Sequence, residues 1–177
     1  MLLDQKRTRR MVQVVSILTS IAFGGVIIIV LGLIFFGGGS KSVADQALSD
    51  AKSAVKQAPR DPDALEQLAA AYAGADQLDQ AVATQKRAVA LDPDDLSRVR
   101  SLVSLQSQAG DTDAAIATLQ AYTTRHPKAA DAFLDLATLA ENANKTALAR
   151  LSYQAFLRLA PDDSNAAAIK DKIKTLQ

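Results

Sequence analysis

The chain has no cysteine, no tryptophan and one histidine, and aromatic residues make up only 5% of its 177 positions. Without cysteine there is no disulfide framework, no thiolate nucleophile and no sulfur ligand for zinc. The single histidine, His126, precedes Pro127 and reads as a surface turn residue. It has no second imidazole or thiol with which to complete a metal site or a nucleophilic triad. A formal net charge of +1 offers no field for nucleic acid. A glycine-rich phosphate loop is also missing, since the glycines fall in an apolar segment, a linker or at helix ends. These absences remove the residues that an enzyme, a cofactor site, a metal site or a nucleic-acid surface would need. Abundant alanine, in contrast, suits close-packed helices better than a sheet.

The small net charge hides an asymmetry. Residues 1–10 hold Lys6, Arg7, Arg9 and Arg10 against Asp4 alone, while 16 basic and 18 acidic residues lie beyond residue 37. Residues 11–36, MVQVVSILTSIAFGGVIIIVLGLIFF, carry no charge. A bilayer core needs roughly 20 apolar helical residues, so this run is expected to be a transmembrane helix. A cleavable signal peptide is the competing reading, with Ser42-Val43-Ala44 as a small-residue cleavage site. Its apolar core is usually about 7–15 residues, and the length here favours an uncleaved anchor. By the positive-inside rule the basic N-terminus stays cytoplasmic and everything after the span is extracytoplasmic, as in a single-pass bacterial cell-membrane protein. Ser20, Gly24, Gly25 and Gly32 give the span a small-residue face on which homo-oligomers would pack. Residues 37–42, GGGSKS, form a flexible linker that reaches about 20 Å at most.

From residue 43 to 177 the chain is repetitive. Pro59, Pro93, Pro127 and Pro161 follow one another at intervals of 34 residues, and the fifth proline, Pro62, opens a helix. Frames at 62–95, 96–129 and 130–163 carry matching apolar faces. The first has Leu65, Leu68 and Tyr72, then Ala81 and Ala88. The second has Val99 and Leu102, then Ala115, Leu119 and Tyr122. The third has Phe133, Leu136 and Ala140, then Ala149, Tyr153 and Phe156. This period and order of large, small and aromatic residues resemble the tetratricopeptide-repeat (TPR) family, whose unit is a helix–turn–helix. Gln106 and Gln85 depart from the pattern where it has aromatics, and Tyr122 and Phe156 where it has a small residue. The expected fold is therefore all-α: a helical-hairpin solenoid of three full repeats behind the membrane helix. Residues 43–58 supply the second half of a preceding repeat. Residues 164–176, with Ala166, Ile169, Ile173 and Leu176 on one stripe, supply an amphipathic capping helix. Asp61-Pro62 reads as an N-cap with proline at the first helical position, and Gly110-Asp111 as the end of one helix and the start of another. Asp76, Asp94, Asp95, Asp162 and Asp163 are assigned to comparable helix starts, which accounts for these acids better than a calcium loop would.

The resemblance implies a protein or peptide ligand held in a groove lined by the first helix of each repeat. By position the lining is Asp63, Glu66, Gln67, Ala70 and Ala73; then Ser97, Arg100, Ser101, Ser104 and Gln108; then Asp131, Leu134, Asp135, Thr138, Glu141 and Asn142. TPR co-chaperones grip acidic chaperone tails through a clamp of Lys, Asn and Arg. Here the corresponding positions hold Glu66, Ala70, Ser101, Asp131 and Asp135, which would repel such a tail and suit polar or basic segments. The expected role is a membrane-anchored adaptor for secretion, envelope assembly or membrane-complex biogenesis. Its architecture is similar to single-span bacterial TPR proteins of the export channel. An organellar import receptor facing the cytosol would reuse the same order of segments, against the charge bias and without the clamp. A membrane-bound enzyme subunit is the reading with least support.

Overall fold

The computed structural model describes residues 43–176. The basic segment 1–10, the proposed span 11–36 and the linker 37–42 lie outside the described residues. Among the described residues no helix is long and apolar enough to cross a membrane.

Eight helices follow in order among the described residues: α1 (Val43–Gln57), α2 (Pro62–Gly74), α3 (Leu78–Leu91), α4 (Leu96–Gln108), α5 (Thr112–Arg125), α6 (Ala130–Asn142), α7 (Thr146–Leu159) and α8 (Ala166–Thr175). Each packs on the next, so contacts are local and the architecture is an all-α solenoid. The 34-residue frames at 62, 96 and 130 each contain one helical hairpin.

The helix ends show why the chain breaks where it does. Asp61 accepts the main-chain N–H of Asp63 at 3.0 Å, with Pro62 at the first helical position. Asp95 accepts the N–H of Ser97 at 2.8 Å and its hydroxyl at 2.6 Å. Asp163 accepts the N–H of Asn165 at 2.7 Å, although α8 becomes α-helical only at Ala166. These three carboxylates occupy one register position. At its fourth occurrence stands Ala129, which leaves α6 without a side-chain cap. Within each hairpin the turn is made by a residue with positive φ: Asp76 at 58°, Gly110 at 80° and Asn144 at 57°. The next N–H reaches back five residues, from Gln77 to Tyr72, Asp111 to Gln106 and Lys145 to Ala140, closing a Schellman turn each time. Three of the helix-start assignments are corrected. Asp76 ends α2 in the left-handed conformation instead of starting α3, because that register position demands positive φ and aspartate tolerates it. Asp94 is a turn residue whose carbonyl oxygen accepts the Tyr122 hydroxyl at 3.0 Å, and Asp162, two periods on, is likewise in a turn before α8.

The core follows the small-large alternation. Ala81, Ala115 and Ala149 are fully buried where the two helices of a hairpin approach closely. Leu65, Val99, Leu119, Tyr153 and Phe156 fill the space beside them, each contributing about 1.5–3 kcal/mol by burial. Where the pattern departs from aromatics, the substitutes are buried and bonded. Gln85 donates from Nε2 to the Arg98 carbonyl at 3.1 Å, tying α3 to α4. The Gln106 Oε1 accepts the Thr118 hydroxyl at 2.9 Å, tying α4 to α5. At the far end α8 lays Ala166 and Ile169 on the last hairpin and turns Lys170, Asp171 and Lys174 outward. That gives the solenoid a polar terminal face.

Candidate binding groove

The first helices of the hairpins, α2, α4 and α6, run side by side, and polar ties join each to the next. Glu66 on α2 accepts the Ser101 hydroxyl of α4 at 2.9 Å. Arg100 on α4 donates from Nε to Asp135 of α6 at 2.6 Å. Glu141 on α6 accepts Lys172 of α8 at 2.9 Å and the buried Tyr153 hydroxyl at 2.6 Å. The first two ties are one register pair repeated 34 residues on, while the third draws on a different position of the repeat.

Three clefts open between these ties. The first, of about 520 Å³, lies between α1 and α2 and is lined by alanines, Gly74, Asp50 and Gln67. The second, of about 510 Å³, lies between α2 and α4, with Glu66, Ala70, Ala73, Arg100, Ser101, Ser104 and Gln108 on its walls and Gln85 and Leu105 at its floor. The third, of about 300 Å³, lies between α4 and α6, with Arg100, Ser104, Asp135, Thr138 and Asn142 around Val103, Leu119 and Leu139. The first two share Ala70 and the last two share Arg100 and Ser104, so the openings adjoin in one groove.

Of the residues expected to line a groove, Glu66, Gln67, Arg100, Ser101, Ser104, Asp135 and Asn142 stand on these walls, as do Ala70, Ala73, Gln108 and Thr138. Asp63, Ser97, Asp131, Leu134 and Glu141 line none of the three clefts. Ser97 is bonded to its own cap, Asp95. Leu134 packs into the core of the last hairpin. Asp131 is exposed at the start of α6, outside the clefts.

Arg98 is the residue that the register alone does not reveal. It stands where the neighbouring repeats have the buried alanines Ala64 and Ala132, and its side chain is only 11% exposed. Its guanidinium meets four carboxylates: Asp63 at 2.6 Å, Glu66 at 2.8 Å, Asp92 at 3.3 Å and Asp95 at 3.4 Å. The hydrogen bond to Asp63, ahead of all other influences, raises its pKa above the ordinary arginine value. The bonds from Ser97 hold the Asp95 carboxyl below the ordinary aspartate range.

The consequence for the groove is electrostatic. Both Glu66 oxygens are taken, one by Arg98 and one by Ser101. Asp135 is paired with Arg100, whose pKa that bond raises. Glu141 is held below its ordinary pKa by Tyr153 first and Lys172 second. The acidic lining read from the sequence is therefore largely compensated from within the chain. His126 is half-buried rather than freely exposed: its ring centroid lies 4.3 Å from that of Tyr122, and Nε2 lies 3.0 Å from Asp94. That nitrogen sits close to the carboxylate but out of line for a hydrogen bond. Among the described residues no group of His, Cys, Asp and Glu is arranged to hold a metal ion.

Residues 68–134 match the Tetratricopeptide repeat family. No match appears among curated proteins. Solved structures share the fold. The crystal structure of MamA protein is 20% identical over 77% of this chain and 80% of that one, with a TM-score of 0.54. MamA 41-end from Desulfovibrio magneticus RS-1 is 19% identical over 77% and 81%, with a TM-score of 0.53. The first TPR of Spaghetti (RPAP3), bound to the HSP90 peptide SRMEEVD, is 16% identical over 64% and 90%, with a TM-score of 0.50. At these identities the likeness is one of fold: the described residues form an all-α, TPR-like helical-repeat solenoid.

Proposed function

We propose that this chain is a membrane-anchored adaptor that holds a partner protein in the groove along α2, α4 and α6. The observation that carries the reading is the continuity of the clefts, which have apolar floors and hydrogen-bonding walls, as a bound polypeptide segment requires. The neighbour that binds SRMEEVD shows that a helical array of this fold accepts a peptide. An acidic peptide of that kind suits this groove poorly, because the clefts offer one cation, Arg100, and it is already paired.

The anchor is the apolar run 11–36, and the excess of basic residues before it supports a cytoplasmic N-terminus with the solenoid on the other side of a bacterial cell membrane. The short linker then keeps the groove near the bilayer, which fits a role in secretion, envelope assembly or membrane-complex biogenesis.

Two measurements test this. A photo-crosslinking residue at Ser104 or Asn142 of the full chain in native membranes should capture a protein partner, and one at Lys86 on the outer face should not. Equal capture at all three positions removes the groove from the reading. A C-terminal reporter should be active only outside the cytoplasm, and cytoplasmic activity would overturn the orientation.

A further inference from the structure

We infer that the third cleft recognises a carboxamide group on an uncharged, extended segment of the partner, through the Arg100–Asp135 pair. This rests on the groove reading above and specifies what the groove selects.

The pair is joined by one hydrogen bond, from Arg100 Nε to Asp135 Oδ2 at 2.6 Å. A guanidinium carries five N–H donors and a carboxylate about four acceptor positions. The terminal nitrogens of Arg100 and the Oδ1 of Asp135 have no other partner among the described residues. The two side chains are 48% and 31% exposed, and both line the third cleft. The cleft wall therefore presents open donors beside an open acceptor.

A carboxamide carries the matching set: a carbonyl oxygen that accepts and an N–H that donates. It can satisfy both members while the ion pair stays closed. A carboxylate would gain from Arg100 and be repelled by Asp135, and an ammonium group would meet the reverse. Either ion would have to open the pair to gain a net attraction. The surroundings agree. Ser104, Thr138 and Asn142 add neutral polar groups, and Leu119 and Leu139 floor the cleft. The adjoining Glu66 has both oxygens engaged, and Asp131 lies outside the lining.

Carboxamides come from two sources in a polypeptide, the main chain and the side chains of Asn and Gln, and the test separates them. The probes are end-blocked, fluorescein-labelled heptapeptides in which Ser alternates with Gln, Ala, Glu or Lys. Their binding to the full chain is read by fluorescence polarisation at low and high ionic strength. The Ser-Gln peptide should bind equally at both ionic strengths, and R100Q and D135N should each weaken it about tenfold, the effect of one or two lost hydrogen bonds. Lys86→Gln on the outer face should change nothing. Equal binding of the Ser-Ala peptide assigns the recognised group to the main chain. Much weaker Ser-Ala binding assigns it to the side chain.

Tighter binding of the Ser-Glu or Ser-Lys peptide, lost at high salt, overturns the inference. If R100Q still affects that binding, the groove reading stands without it. Peptide binding indifferent to both substitutions likewise overturns the inference and leaves the groove to the crosslinking. Absence of binding by all four peptides overturns the inference alone, since crosslinking from Ser104 decides the groove separately.

Discussion

Replacing Arg98 with alanine should destabilise the solenoid although it installs the residue that both neighbouring repeats carry at that position. The helical interior itself would gain slightly from alanine. The loss comes from four carboxylates left around the space of one cation. Asp63 is 70% exposed, so its bond at 2.6 Å is screened and contributes under about 1 kcal/mol. Glu66 and Asp95 are only 35% and 33% exposed, and their share is larger because less water replaces the guanidinium. With the lost packing of the arginine stem, the expected total is about 2–3 kcal/mol. For a domain of this size that corresponds to a fall in Tm of about 8 °C.

The site of the damage is as specific as its size. Arg98 bridges α2, the α3–α4 turn and α4, so hydrogen exchange should accelerate in α1 to α4 first. Protection in α6 and α7 should persist, because a solenoid is stabilised between nearest neighbours. Arg98→Lys should recover less than half the loss, since an ammonium group cannot span several carboxylates as a fork does. A double-mutant cycle with Glu66→Gln should show coupling of about 1 kcal/mol. A change in Tm of less than about 1 °C for Arg98→Ala, with no coupling, would refute the reasoning and reduce the cluster to a solvated surface network.

Four further outcomes follow from the same structure. Ala129→Asp supplies the cap that its register mates Asp61 and Asp95 provide, and calorimetry should show a gain of about 0.5–1 kcal/mol. Gly110→Ala should lose about 1 kcal/mol from positive φ alone, because a Cβ there meets nothing within 4 Å; Gly110→Asn should be nearly neutral in the same urea titration. Gln85→Leu should stay within about 1 kcal/mol of the parent, its register mate being Leu119, whereas Gln85→Ala should cost about 2–3 kcal/mol by opening a cavity. Glu141 has a folded-state pKa below its unfolded value, so its contribution is present above the unfolded pKa of about 4.3 and is lost as pH falls through the lower folded value. Glu141→Gln should flatten the dependence of Tm on pH below about 4.5 and leave the slope near neutrality unchanged.

The period and the hairpins were legible because proline, alanine and the cap carboxylates act locally. Pro62 fixes its own φ, Asp61 reaches an N–H two residues away, and Ala81 must be small whatever surrounds it. Asp76 was misassigned because a cap and a left-handed turn draw on the same side chain. Its register mates Gly110 and Asn144 carry the signal that separates them, since all three residue types tolerate positive φ and only two of them cap with a side-chain oxygen.

The charge of the groove is a different kind of quantity. Register assigns a residue to a face, and it assigned Glu66 and Asp135 to this one. A carboxylate on a face repels or attracts a ligand only to the extent that the chain has left it unpaired, and pairing here spans 31 to 35 residues. Those separations are nearly the repeat period itself, so the partners of Glu66 and Asp135 were predictable in principle as residues about one period away, further on for Glu66 and back for Asp135. Arg98 evaded that search because it occupies a position defined by smallness in the repeats on either side. A long side chain in a small-residue slot of a periodic array cannot be accommodated by packing, so it has to leave the core toward whatever charge lies beyond the neighbouring helix. That makes such a departure the place to look for the contact that offsets an otherwise acidic face.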